Sequence, residues 1–202
     1  MEIDYFLEHL SRLDNVHQWE ERDSIIKESV SQHSFKVGAI THYVLNVLEN
    51  EMIKEGYLKT PYQPFTQFKA DCLSYAILHD FDEAIIGRDI SHVVKYNSYN
   101  GEKIREAIND FVNHQETLDF QGLLPKPTEI VKKFVKLCDW VALITFCERN
   151  GNLGCISFHM EERYCLDNIR KSIDVVVPLI KRDFAFDCKE MLNKIFIENG
   201  DK

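Results

Sequence analysis

The sequence predicts an all-α protein, a single helical-bundle domain over residues 1–202, and three observations carry that prediction. Glycine and proline are scarce, 8 and 5 among 202 residues, so few positions interrupt a helix. Apolar residues recur at three-to-four spacing along most of the chain, and no segment alternates convincingly. Hydrophobic residues make up 45% and charged residues 28%, which supports a packed core and lies outside the disordered range.

The elements follow in order. A first helix is expected from Asp4 to about Asp14, opened by an acidic cap and carrying Phe6, Leu7, Leu10 and Leu13 on one face. Asn15 to Lys27 is mostly polar, with Trp19 among it, and reads as a loop. The second helix runs from Ser29 to about Glu55 on a stripe of Val30, Val37, Ile40, Val44, Val47 and Leu48, closed by Gly56 and Pro61. The third runs from Pro64 to Leu78 with Phe65, Phe68, Cys72, Leu73, Ala76 and Ile77 inward, and ends at Leu78-His79-Asp80. Phe81-Asp82-Glu83 reads as an acidic turn, and Ala84 to Ile86 as one further helical turn before Gly87. Asp89 or Ser91 caps a short helix through His92, Val93, Val94 and Tyr96, and Asn97 to Gly101 is a loop. Further helices are expected at Gly101–Gln115, Thr128–Arg149 and Ser157–Asn199, the last interrupted at Pro178. Val175-Val176-Val177 comes nearest to a strand, but it sits in a helical register.

The net charge of −9 and a pI near 5.4 argue against a broad basic surface that would hold a nucleic-acid backbone. A small anion at a local site remains compatible. The longest apolar run, Trp140 to Cys147, is too short to span a bilayer. Met1-Glu2-Ile3-Asp4 lacks the basic-then-apolar order of a signal peptide, so a cytoplasmic protein is expected. The six cysteines form no Cys-x-x-Cys pair and fall mostly in apolar helical stretches, as reduced, buried, small hydrophobes would.

Several ligand-type residues point into apolar faces. His33 lies three residues after Val30 and four before Val37; His79 lies three after Ala76 and seven after Cys72. Asp139 lies four after Val135, three before Ala142 and seven before Phe146. Taken one at a time, each has an ordinary explanation: a neutral His bonded to a carbonyl, or an Asp paired with Lys136 one turn earlier. Taken together with Asp80, which adjoins His79, they are resolved at once by a single divalent ion. One metal ligated by His33, His79, Asp80 and Asp139 is therefore expected. Nitrogen and oxygen donors without thiolate suit Mn²⁺, Co²⁺, Fe²⁺, Zn²⁺ or Mg²⁺.

The ordered His33, His79-Asp80 and Asp139, all on helices, resemble the signature of the HD-domain metal-dependent phosphohydrolases. Within that superfamily, Phe6 to Leu13, Trp19, Glu28-Ser29-Val30-Ser31-Gln32-His33-Ser34, His79-Asp80-Phe81-Asp82-Glu83 and Val94-Lys95-Tyr96 resemble the bacterial 5′-deoxynucleotidases. The resemblance covers roughly the first half of the chain plus Asp139, and the block ending in His33-Ser34 is its most diagnostic part.

That resemblance implies an HD-type helical domain, a homodimer, and hydrolysis of 2′-deoxyribonucleoside 5′-monophosphates to nucleoside and phosphate. It also implies that His33, His79, Asp80 and Asp139 hold the metal. Glu83 then positions a water or handles its proton beside Asp80, and Trp19 stands near the sugar and excludes a ribose 2′-hydroxyl. Their ordinary alternatives are a carboxylate favoured by a helix N-terminus and a ring packed on the first helix.

Two departures bear on substrate. Gln18 stands where the family has an Arg that clamps phosphate, and it brings neither charge nor a guanidinium fork. Arg88 intervenes before Asp89, which is either the displaced acidic residue of the family or a helix cap. Arg12, Arg22, Lys27, Arg88 and Lys95 are the cations at hand to replace the Arg, or else solvated surface charges. Two other functions therefore stay open: a deoxynucleoside triphosphate hydrolase releasing triphosphate or successive phosphates, and a nucleotide-binding HD protein without turnover.

Overall fold

A computed structural model describes residues 3–19, 23–58, 63–87 and 126–198, with helical positions 103, 106–108, 110, 111 and 114. Among them the chain is all-α: α1 (Ile3–Arg12), α2 (Val30–Lys54), α3 (Gln63–Leu78), α4 (Phe81–Ile86), α5 (Glu129–Asn152), α6 (Ser157–Phe184) and α7 (Lys189–Asn193), followed by a π-helical turn, Lys194–Glu198. The one extended pairing described is an antiparallel bridge between His17 and Ser29. No described helix is long and apolar enough to cross a membrane.

The chain divides into two compact units, residues 1–34 with 78–125 and residues 35–77 with 126–202. The first is built on a cluster of Leu13, Val16, Val30, Phe81 and Ala84, against which Phe6, Leu10, Leu78 and Ile85 pack. Phe6 stacks on Phe81 with ring centroids 5.5 Å apart. This cluster joins the end of α1, the start of α2 and all of α4, so whatever adjoins Val30 and Phe81 in sequence is brought close in space.

The start of α2 is set locally. Ser29 and Gln32 form a capping box: the Ser29 N–H donates to Gln32 Oε1 at 3.0 Å, and the Gln32 N–H donates to Ser29 Oγ at 3.2 Å. Ser29→Ala is expected to lower unfolding stability by about 1 kcal/mol. Denaturant melts read this, and an unchanged midpoint at unchanged slope would remove the cap from the account.

In the second unit Phe65 and Phe68 of α3 pack edge-on or tilted against Phe184, and Phe68 also meets Phe134 of α5. The six cysteines form no disulfide. Burial pushes the Cys138 and Cys188 thiols up to about 12, which keeps them protonated and unreactive near neutrality.

Four expectations need correction. Phe81-Asp82-Glu83 is the first turn of α4, not an isolated turn; the Glu83 N–H donates to the Asp80 carbonyl at 3.0 Å, and two acidic residues at a helix start suit its dipole. Pro178 lies inside an unbroken α6. The lost backbone bond and the ring's push on the preceding turn are outweighed there by Ile173, Val176, Val177 and Ile180, all buried. The break comes later, where Ala185 takes a left-handed φ of 57° and Phe186 and Cys188 turn inward. Leu7 and Ile77, expected on apolar faces, are about half exposed at 50% and 54%. The expected helix around His92 and the loop at Asn97–Gly101 lie outside the described residues.

Candidate metal and phosphate site

The core of the first unit fixes the positions of four polar residues. His33 follows Val30 by three on α2, His79-Asp80 immediately precedes Phe81, and Glu83 lies between Phe81 and Ala84. Ligand atoms of His33, His79 and Asp80 all lie within 4.8 Å of one another. His79 Nε2 and Asp80 Oδ2 are 3.2 Å apart, and the rings of His33 and His79 are 5.6 Å apart. Around one ion with bonds of about 2.0–2.2 Å, donor atoms stand roughly 3–4 Å from each other, so two imidazoles and one carboxylate so placed fit a divalent cation after small side-chain adjustment. His33 and Glu83 are almost wholly buried, at 1% and 2% exposure, where a polar group needs a partner of comparable strength.

Backbone pairing of the two segments before α2 adds a further residue. The Gln18 N–H donates to the Glu28 carbonyl at 2.8 Å, and the Val30 N–H to the Val16 carbonyl at 2.8 Å. This ladder places the Gln18 amide 3.5 Å from Asp80 Oδ2. It also seats the buried Glu28 with Oε1 3.5 Å from His33 Nδ1, leaving Nε2 of that ring to face elsewhere. A carboxylate behind a ligating imidazole fixes its orientation and raises its basicity. Glu28 was part of the sequence block ending in His33-Ser34 but carried no assigned role. The signal was there, a carboxylate five residues upstream of His33 and just ahead of the cap, yet only the bridge shows that it turns back. Glu28→Gln is expected to weaken Mn²⁺ binding about 10–100-fold; a calorimetric titration equal to wild type would reduce Glu28 to a buried structural acid.

Trp19 follows Gln18 with a φ of 59°, a left-handed conformation that a bulky residue rarely adopts and that tends to mark functional positions. Arg12 is turned to its own helix, donating to Glu8 Oε1 at 2.9 Å and lying 3.4 Å from His9 Nε2. Lys27 is exposed. Arg22, Arg88, Asp89 and Lys95 lie outside the described residues. An open apolar recess of about 480 Å³, lined by Ile85, Ile86, Ala107, Ile108 and Phe111, begins two residues beyond Glu83 on α4.

Asp139 belongs to the second unit, on α5, and is 3% exposed within the apolar face that its spacing predicts. Its Oδ2 accepts a hydrogen bond from Lys136 Nζ one turn earlier. The pairing that the sequence offered as the ordinary explanation of Asp139 is thus present. Lys136 also lies over the Trp140 ring, 4.6 Å from its centroid.

A family model described as 5′-deoxynucleotidase YfbR-like matches residues 5–185. No curated protein matches the chain.

Proposed function

Because this chain belongs to the YfbR-like 5′-deoxynucleotidase family of HD-domain phosphohydrolases, we propose that it hydrolyses 2′-deoxyribonucleoside 5′-monophosphates to deoxynucleoside and orthophosphate. That it is a hydrolase of this type follows from the family; the substrate and the residue roles are our reading. The observation that carries it is the convergence of His33, His79 and Asp80 within 4.8 Å, with the buried Glu83 three residues beyond Asp80.

We assign His33, His79 and Asp80 as ligands of one divalent ion, with Asp139 as the fourth. When bound, such an ion polarises a phosphoryl oxygen and makes a nearby water more acidic. Glu28 orients His33 through Nδ1. Glu83 accepts the proton of the attacking water on a carboxylate oxygen and can return it to the leaving 5′-oxygen. Trp19, held by its unusual backbone, walls the sugar and rejects a 2′-hydroxyl. The recess beside Ile85 and Ile86 is of a size to take the apolar faces of a base. The same reading includes a homodimer acting on free deoxynucleotides in the cytoplasm, and sedimentation of the purified chain tests the dimer.

Gln18 favours one competing reading. Gln18 stands in place of the family's Arg and offers no guanidinium fork to a terminal phosphate, so a deoxynucleoside triphosphate could bind instead through its longer chain. Phosphate release and product chromatography over deoxynucleotides, ribonucleotides and triphosphates, with Mn²⁺, Co²⁺ or Mg²⁺ supplied, separate the two. Orthophosphate from deoxynucleoside monophosphates is expected. Triphosphate plus deoxynucleoside from dATP, or no product from any monophosphate, would overturn the reading. In the same assay Trp19→Ala is expected to raise the relative kcat/KM for ribonucleotides about 10-fold or more, the scale on which a shaped pocket discriminates.

A further inference from the structure

We infer that Gln18 is a positioning residue for Asp80, and that the side chain at position 18 sets a balance between holding the metal and gripping the phosphate. The inference rests on His33, His79 and Asp80 being ligands of one divalent ion, as proposed above. The Gln18 amide donates from Nε2 to Asp80 Oδ2 at 3.5 Å, the same oxygen that stands 3.2 Å from His79 Nε2. Backbone structure on both sides fixes where that amide reaches. The Gln18 N–H donates to the Glu28 carbonyl at 2.8 Å, beside the bridge of His17 with Ser29, and the next residue, Trp19, is held at a φ of 59°.

One backbone rung thus carries an outer partner for each of two ligands. From residue 28 a carboxylate oxygen reaches to 3.5 Å from His33 Nδ1; from residue 18 an amide reaches Asp80. A carboxylate left to itself turns about its Cβ–Cγ bond, whereas a donor on one oxygen fixes which lone pair faces an ion. The charge of that donor matters as much as its position. A guanidinium at residue 18 would offer a fork to phosphate, but its permanent positive charge would repel a divalent ion on the neighbouring carboxylate. The neutral amide makes the opposite choice: it steadies Asp80, leaves that oxygen's full negative charge to the metal, and gives up the strong grip on phosphate.

The test compares wild type with Gln18→Leu and Gln18→Arg, with His79→Ala as the control on the underlying reading. Mn²⁺ binding is measured by calorimetry without nucleotide, and orthophosphate binding on the Mn²⁺-loaded protein. Gln18→Leu removes the donor and is expected to weaken Mn²⁺ binding about 10-fold or more, with orthophosphate affinity of the loaded protein little changed. Gln18→Arg should also weaken Mn²⁺ binding, yet raise orthophosphate affinity roughly 10-fold. A side chain that only packed the loop would not move the two affinities in opposite directions. Gln18→Leu with wild-type Mn²⁺ affinity, or Gln18→Arg whose two affinities do not shift oppositely, would overturn the inference. Should Gln18→Leu fail to fold, Gln18→Ala carries the same comparison. If instead wild type binds no Mn²⁺, or His79→Ala binds it like wild type, the ligand assignment is what fails.

Discussion

His79→Ala is expected to remove both metal and turnover. His79 supplies one of the three donor atoms gathered within 4.8 Å, and its Nε2 stands 3.2 Å from Asp80 Oδ2, so its loss leaves two of that cluster and disturbs Asp80. Loss of an outer partner alone typically costs 10–100-fold in metal affinity; loss of a direct ligand should exceed the upper end, more than about 100-fold. Phosphate release should fall with it and recover only partly at high Mn²⁺. Metal analysis of the protein as isolated, paired with the assay, checks this. A His79→Ala protein that keeps its metal and its rate would dismantle the proposed site.

Glu83→Gln separates chemistry from binding. If Glu83 handles the proton of the attacking water, kcat should drop about 10²–10⁴-fold, the usual contribution of a positioned acid or base. Mn²⁺ affinity and KM should stay near wild type, because the amide keeps the volume and lies outside the donor set. The ordinary explanation gives a different outcome. A carboxylate that merely suits the first turn of α4 contributes about 0.3–1 kcal/mol of stability, so its amide would melt slightly earlier and turn over normally. The pair of measurements, midpoint and kcat, assigns the role.

How much of this could be read from the residues varies with the range of the interaction. The capping box of Ser29 and Gln32 is local, and the start of α2 was placed within a residue of where it lies. Core-facing periodicity put His33, His79 and Asp139 on apolar faces, and all three are buried or nearly so. The same reasoning turned Leu7 and Ile77 inward, because helical spacing marks a stripe but does not say how wide a neighbour covers it. Pro178 illustrates propensity overruled by packing: a residue that breaks isolated helices is carried by the buried residues on either side. Glu28 escaped for a different reason. Its place behind His33 depends on the pairing of the Gln18 and Glu28 backbones across a loop, and no periodicity in the sequence encodes that meeting. Lys136, by contrast, was legible as the residue one turn before Asp139.

Phe81 sits between Asp80 and Glu83 in sequence and belongs to the small buried cluster that also holds Val30. Oil and catalyst therefore share one scaffold: truncating that single ring, a change costing about 3–5 kcal/mol in a packed interior, would loosen ligand and base together and could be mistaken for a chemical lesion. By the same linkage, saturating Mn²⁺ should toughen this half of the chain against heat, and a chelator should soften it.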